Sequence, residues 1–121
     1  QEPFDVQVTA QDGASQIPAP LASVLYRVAQ ESLRNAARHA DARHVRILLR
    51  REGAAATLEV EDDGRGFDVK GAEERRPGMG LFSMRERVAL VNGRFNVTSA
   101  PGRGTRVTAS VPVAHGEGVG E

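Results

Sequence analysis

Three polar side chains follow one flank of a helix predicted near the start of the chain. Glu31 and Asn35 are four residues apart, and Arg38 is seven residues after Glu31, so all three lie on the same side of an α-helix. A carboxamide oxygen is a hard ligand that Mg²⁺ accepts, and the planar guanidinium of arginine suits phosphate. The flank could therefore hold a metal ion and phosphate groups, although a solvated helix edge has the same spacing.

A carboxylate and two glycines meet where a predicted strand ends. Asp62 continues the apolar alternation of the strand and so points toward the buried face, where a carboxylate needs a hydrogen-bond donor. Gly64 and Gly66 follow, and glycines let the backbone turn sharply and a flat ligand approach closely. The segment could form a pocket floor on which Asp62 accepts a hydrogen bond from an exocyclic amine such as adenine's. The alternative is an ordinary Asp-Gly turn.

A second pair of glycines leads into the second predicted helix. Gly78 and Gly80 come directly before Leu81, where the helix begins. A helix N-terminus offers free N–H groups and the positive end of the helix dipole, and glycines let phosphate oxygens reach them. The P-loop pattern is absent, so a flexible hinge is the alternative to a phosphate contact.

Two further side chains are candidates because of their positions in predicted elements. Thr105 has the inward parity of the last strand, so its hydroxyl needs a partner, which Asp62 or a water molecule could supply. His39 lies at the end of the first helix, where it could cap the helix C-terminus or contact phosphate.

The elements that must position these residues follow from hydrophobic periodicity and turn residues. Alternation of apolar and polar residues predicts a short first strand within residues 4–9, and a loop follows it over 10–20. The remaining elements are a helix at 21–40, strands at about 43–51 and 55–62, a loop at 63–80, a helix at 81–92, and strands at 94–99 and 104–112. This order predicts an α+β fold, a two-layer sandwich with helices on one face of a mixed, mainly antiparallel sheet.

Composition narrows the classes of protein. The 121 residues are enough for one domain, predicted over 1–113 with a disordered tail at 114–121. Sixteen basic and sixteen acidic residues give zero net charge, which argues against direct binding of nucleic acid or an acidic membrane. The absence of cysteine excludes disulfides and thiol chemistry, and no apolar run is long enough to span a bilayer. We therefore expect this stretch to work in the cytoplasm, although a full-length protein could be membrane-anchored.

The joint order of these motifs is more specific than any one of them. The runs Glu31 to Ala40, Asp62 to Phe67, Gly78 to Leu81 and Gly102 to Thr105 closely resemble the ATP-binding catalytic domain of sensor histidine kinases, which has the Bergerat fold shared with gyrase, the Hsp90 chaperone and MutL. The resemblance covers nearly the whole chain and implies ATP and Mg²⁺ as cofactors.

Residue roles are carried over from this resemblance by position. It implies that Asn35 holds Mg²⁺, that Asp62 reads the adenine amine with support from Thr105, and that Glu31 helps prepare the phosphoryl acceptor. It implies an ATP lid over residues 67–77. The implied nucleotide-binding residues are Asn35, Arg38, His39, Asp62, Gly64, Gly66, Gly78, Gly80, Leu81 and Thr105.

The resemblance also implies partners. The stretch Leu81 to Val88 is similar to the subgroup of nitrate-responsive and desaturase-regulating kinases, which signal to response regulators. None of the three histidines lies in a dimerising helical hairpin, so the phosphoacceptor histidine is expected on a separate domain of the same kinase. Without that domain, the chain is expected to bind Mg-ATP but not to sustain histidine autophosphorylation. A serine kinase of the anti-sigma-factor type and a nucleotide-binding signalling module without turnover remain as alternatives.

Overall fold

The computed structural model describes residues 5–11, 13–38, 41–70 and 80–113. In chain order, its elements are β1 (Asp5–Ala10), a short 3-10 helix (Ala14–Gln16), α1 (Ala19–Arg38), β2 (His44–Glu52), β3 (Ala55–Asp62), α2 (Leu81–Leu90), β4 (Arg94–Ser99) and β5 (Thr105–Pro112). The predicted positions His39 and Gly78, lid residues 71–77 and the tail at 114–121 lie outside the described residues.

The five strands form one mixed sheet in the order β1-β2-β3-β5-β4. β1 runs parallel to β2, and the other three neighbouring pairs are antiparallel. Both helices pack against the sheet, α1 over its middle strands and α2 over β4 and β5. The predicted α+β sandwich with a mixed, mainly antiparallel sheet is confirmed.

The helix boundaries differ from the predicted ones by about two residues. α1 begins at Ala19 because Pro20 fits the first turn, where no intrahelical N–H donor is needed. α2 ends at Leu90, and the chain then turns through Asn92, which has a φ of 62°. The N–H of Gly93 donates to the carbonyl of Val88 over 2.9 Å, which satisfies a carbonyl at the helix end.

The core lies between the helices and one face of the sheet. Ser32 is the one buried polar residue among those described, and its Oγ lies 3.9 Å from Sδ of Met84, where α1 meets α2. Each buried aliphatic side chain contributes about 1.5–3 kcal/mol of transfer free energy, so this layer fixes α1 against the sheet. The buried apolar residues are Leu25, Val28, Ala36, Val45, Ile47, Ala56, Leu58, Val60, Leu81, Met84, Val88, Phe95, Val107, Ala109, Val111 and Val113.

The opposite face of the sheet is polar. Arg46 on β2 pairs with Glu61 on β3, and Arg106 on β5 pairs with Glu59 on β3 over 3.2 Å. Such exposed cross-strand pairs keep this face solvated and contribute little stability individually. No helix in the described part of the chain is long and apolar enough to cross a membrane.

A carboxylate fastens the start of β2 to the end of β3. Oδ1 of Asp63 accepts hydrogen bonds from the backbone N–H groups of Arg43 and His44, at 2.8 and 2.9 Å, and its Oδ2 lies 2.7 Å from Nδ1 of His44. The backbone N–H of His44, the His44 ring and the N–H of Arg43 together lower the pKa of Asp63 to about 2. Asp63 is therefore a structural clamp next to Asp62.

We predict that Asp63→Asn lowers the melting temperature by a few degrees at neutral pH, because the amide does not reproduce the charged hydrogen bonds. A carboxyl whose pKa is lowered on folding stabilises the protein above its ordinary pKa of 3.8, and this stabilisation is lost as the pH falls toward about 2. Thermal unfolding followed by circular dichroism should show a lower melting temperature than wild type at neutral pH, and this difference should close in the acid range.

Glu86→Gln on α2 is the control, since that carboxylate is exposed on a helix surface. Its melting temperature should stay close to that of wild type at every pH. A difference in melting temperature between Asp63→Asn and wild type that does not narrow in acid would contradict the role of the Asp63 charge.

Candidate nucleotide-binding site

The flank of α1 carries the three predicted side chains beside its buried stripe. Glu31 and Asn35 are half-buried and Arg38 is exposed, whereas Ser32 and Ala36 of the neighbouring stripe are buried. The carboxamide Oδ1 of Asn35 is buried, and Glu31 lies one turn before it with Oε1 3.9 Å from Nη1 of Arg34. This side of α1 therefore presents two hard oxygen donors, followed by a cation.

Asp62 ends β3 on the face that its parity predicts. It is half-buried, and its Oδ1 accepts a hydrogen bond from the Gly64 N–H over 2.8 Å. Burial raises the pKa of Asp62, and the negative charges of Asp63 and Glu61 act in the same direction. Hydrogen bonds from the backbones of Gly64 and Thr105 oppose this rise. A partly desolvated carboxylate of this kind gains from a further donor, such as an amine.

Two glycines bring the turn after β3 against the turn between β4 and β5. Gly66 has a φ of 66°, and a Cβ there would lie 2.1 Å from the carbonyl oxygen of Ala100. Gly104 has a φ of 73°, and a Cβ there would lie 2.3 Å from the carbonyl oxygen of Asp62. These glycines are therefore needed for the packing of backbone on backbone. For Gly66, the sequence predicts a sharp turn and the close approach of a ligand, whereas the structure shows the close approach of a backbone carbonyl.

Thr105 is half-buried and lies opposite Asp62 in the register of β3 and β5. Its Oγ1 is 2.9 Å from Oγ of Ser99 at the end of β4. Sequence reasoning proposed Asp62 or water as the partner and did not single out Ser99. The available signal was the parity of β4, which places Ser99 on the same face as the buried Phe95.

Gly80 brings the start of α2 next to Glu31. It has a φ of 70°, and a Cβ on it would lie 3.0 Å from the Glu31 carboxylate. The positive end of the α2 dipole thus faces a negative side chain. Leu81 is only 4% exposed and is part of the core, so any ligand contact at this position is restricted to its backbone.

An open surface cavity of about 700 Å³ lies between the end of α1 and the turn after β3. It is lined by Ala37, Arg38, Asp41 and Arg65. Arg65 lies between the two glycines of the turn, and its carbonyl accepts a hydrogen bond of 2.6 Å from the Gly102 N–H. Sequence reasoning did not select Arg65, whose position opposite Arg38 depends on the tertiary fold.

The two walls of this cavity are connected through the start of β2. The N–H of Ala42 donates to the carbonyl of Ala36 in α1 over 3.3 Å, and the next two N–H groups bind Asp63. The end of α1 and the Asp62 end of β3 are therefore joined through the Asp63 clamp. The structure therefore brings the polar flank of α1 and the Asp62 turn to one side of the molecule.

Mg²⁺ is compatible with the donors on α1. The ion usually takes one or two oxygen ligands from a protein and keeps water and phosphate oxygens in its other positions. The buried carboxamide Oδ1 of Asn35 matches this chemistry as a single hard ligand from the protein. Among the described residues, no group of three or more acidic, histidine or cysteine side chains could hold a metal ion without a ligand's help.

Comparison with known proteins identifies a family of ATPases. Residues 21–115 match the family described as histidine kinase-, DNA gyrase B- and HSP90-like ATPases. A sensor-like histidine kinase from Chloroflexus aurantiacus, itself uncharacterized, is 42% identical over 93 residues, which cover 74% of this chain and 16% of that protein.

Solved structures agree on the fold. The blue-light activated histidine kinase of Erythrobacter litoralis EL346 superposes with a TM-score of 0.70 at 28% identity, covering 93% of this chain and 36% of that one. Its histidine kinase domain gives a TM-score of 0.62 at 28% identity, covering 89% and 52%. The chain thus spans only part of the length of each of these relatives. The match over most of its residues shows that the chain belongs to the family of histidine kinase-, DNA gyrase B- and HSP90-like ATPases.

Proposed function

We propose that this chain binds Mg-ATP and donates the γ-phosphoryl group to a histidine on a separate dimerisation domain of a two-component sensor kinase. The observation that carries the proposal is the cavity between α1 and the turn after β3, with Arg38 on one wall and Arg65 on the other. Family membership and the sensor-like kinase relative support this activity over a serine kinase.

Base recognition is assigned to Asp62. The half-buried carboxylate already accepts the Gly64 N–H and retains further lone pairs for an exocyclic amine. Adenine carries an amine where guanine carries a carbonyl, so an acceptor at this position favours adenine. Thr105, next to Asp62 in the sheet, supports the same contact.

Phosphate binding is assigned to the arginines at the cavity. Arg38 at the end of α1 and Arg65 in the turn both line the cavity, and a planar guanidinium suits phosphate. Asn35 would hold Mg²⁺, which offsets charge on phosphate oxygens when it is bound. Gly64, Gly66 and Gly80 shape the surrounding turns, and His39 and Gly78 complete the proposed set.

Transfer itself requires positioning and electrostatics more than covalent chemistry from this domain. Glu31 is assigned to orient the acceptor: its carboxylate accepts a hydrogen bond from one ring N–H of the incoming histidine. The other ring nitrogen then attacks the γ-phosphorus, an N–P bond forms, and the P–O bond to ADP breaks.

The wider pathway follows from the same proposal. The phosphohistidine would pass its phosphoryl group to a response regulator, as in the subgroup of nitrate-sensing and desaturase-regulating kinases. The phosphoacceptor domain of the same kinase is the immediate protein partner. The cytoplasm is the proposed location of this domain, since ATP and response regulators are found there.

Asp62→Asn should lower the preference for ATP over GTP at least about tenfold, because the amide can turn a donor toward the guanine carbonyl. Calorimetric titration with both nucleotides in the presence of magnesium measures the ratio. Because the pKa of Asp62 is raised, acidification should erode the wild-type preference at a higher pH than for an ordinary carboxyl. The variant should lack this step, and an unchanged ATP preference would exclude Asp62 as the base reader.

Asn35→Ala should remove most of the effect of magnesium on nucleotide affinity, because the variant lacks the hard oxygen ligand. We expect roughly tenfold weaker binding of Mg-ATP and little change when EDTA is present. Asn96→Ala on the exposed face of β4 is the matched control and should bind as wild type. Equal magnesium dependence in both variants would show that the metal is held elsewhere.

Glu31→Gln should slow phosphoryl transfer by about 100-fold or more while leaving Mg-ATP affinity within a few-fold of wild type. The assay mixes the chain with the phosphoacceptor domain of its kinase and follows label from γ-³²P-ATP. Glu86→Gln serves as the control on an exposed helix surface. Normal transfer by Glu31→Gln would remove Glu31 from the reaction.

A further inference from the structure

Ser99, at the end of β4, connects three segments through one half-buried hydroxyl group. Its Oγ accepts a hydrogen bond from the Phe67 N–H over 2.9 Å and donates to the Gly104 carbonyl over 2.9 Å. The same oxygen lies 2.9 Å from Oγ1 of Thr105. Ser99 thus contacts the turn after β3, the turn before β5 and the first residue of β5.

The number of protons available to this group determines the direction of each bond. A serine hydroxyl has one proton and two lone pairs, the Phe67 N–H can only donate, and the Gly104 carbonyl can only accept. All three contacts can be hydrogen bonds only if Ser99 gives its proton to Gly104 and the Thr105 hydroxyl donates to Ser99. The lone pairs of Thr105 then point away from Ser99.

Asp62 lies on the other side of Thr105. Ser99 is paired with Thr105 across β4 and β5, and Thr105 is paired with Asp62 across β5 and β3. The three side chains form a row on the helix-facing side at one end of the sheet. In this row Asp62 and Thr105 both present hydrogen-bond acceptors.

We infer that Ser99 is a positioning residue for base selectivity, which fixes the Thr105 hydroxyl as an acceptor and holds the Phe67 turn beside it. Two acceptors side by side suit the amine of adenine and reject the carbonyl of guanine. This inference rests on the proposed function and adds the group that orients its base-reading row.

Ser99→Ala tests this orientation. Without the serine oxygen, the Thr105 hydroxyl can rotate and donate to a guanine carbonyl, so the ATP-to-GTP affinity ratio should fall about tenfold. A merely structural loss would weaken both nucleotides equally and leave the ratio unchanged. Calorimetry with Mg-ATP and Mg-GTP on the 121-residue chain gives both affinities.

Two matched variants separate the hydroxyl from its surroundings. Ser99→Thr keeps a hydroxyl at this position on a residue that suits strands, so its ATP-to-GTP affinity ratio should stay within about twofold of wild type. Ser110→Ala removes a half-buried serine of β5 that bonds Thr57 over 3.4 Å on the opposite face of the sheet, and it should leave the ratio unchanged.

A double-mutant cycle tests the route through Thr105. In a Thr105→Val background no hydroxyl can rotate, so adding Ser99→Ala should change the ratio by less than about twofold. If Ser99→Ala melts below the assay temperature, Ser99→Cys, with a similar volume and a weaker hydrogen-bonding group, takes its place.

The outcomes distinguish this inference from the proposal on which it rests. A wild-type chain that binds neither nucleotide would overturn both. Selective wild-type binding together with an unchanged ratio in Ser99→Ala would overturn the role of Ser99 alone. A fall in ratio that persists in the Thr105→Val background would show that Ser99 does not act through Thr105.

Discussion

The close approach of two turns is the constraint on which the candidate site depends. Gly66 packs on the Ala100 carbonyl, and Gly104 packs on the carbonyl of Asp62, at separations that leave no room for a side chain. The turn after β3 and the turn between β4 and β5 are thereby fixed to each other. Asp62, Thr105 and the cavity wall that carries Arg65 all belong to these turns or to the strand ends beside them. A side chain at either glycine would collide with a backbone carbonyl and push the two turns apart. Both positions also have a positive φ, which strains any residue other than glycine.

Two adjacent aspartates in this region experience opposite environments. Asp63 is exposed, receives two backbone N–H groups and contacts His44, so its charge is stabilised. Asp62 points to the other side of the strand, where burial disfavours its charge despite the Gly64 N–H. Strand parity produces this division, since successive side chains face opposite sides. The first carboxylate secures the fold, whereas the second stays partly desolvated and hydrogen-bonded to the backbones of Gly64 and Thr105.

Periodicity predicted the parts of the molecule that depend on local pattern. The buried stripe of α1, the inward parity of Asp62 and Thr105, and the helix-covered sheet all follow from spacings of about 3.6 and 2 residues. Three features cannot be predicted from local pattern because their partners are distant in sequence. They are the Asp63–His44 contact, the Ser99 hydroxyl and Arg65. No local signal pairs residue 63 with residue 44, or residue 99 with residue 67. Gly66 is a similar case. The sequence indicates that glycine is needed there, but it does not indicate that the Ala100 carbonyl is the group that approaches it.

The placement of Glu31 determines which groups are left for phosphate. Its carboxylate lies against Gly80, so the positive end of α2 already faces a negative charge. A phosphate brought to the same helix end would meet repulsion unless a cation intervened, and the hard oxygen of Asn35 lies one turn further along α1. Arg38 and Arg65 line the cavity beyond that turn. The order along α1 is thus carboxylate, amide and guanidinium. In the proposed function, these groups would serve the phosphoryl acceptor, the metal ion and the phosphate oxygens in turn.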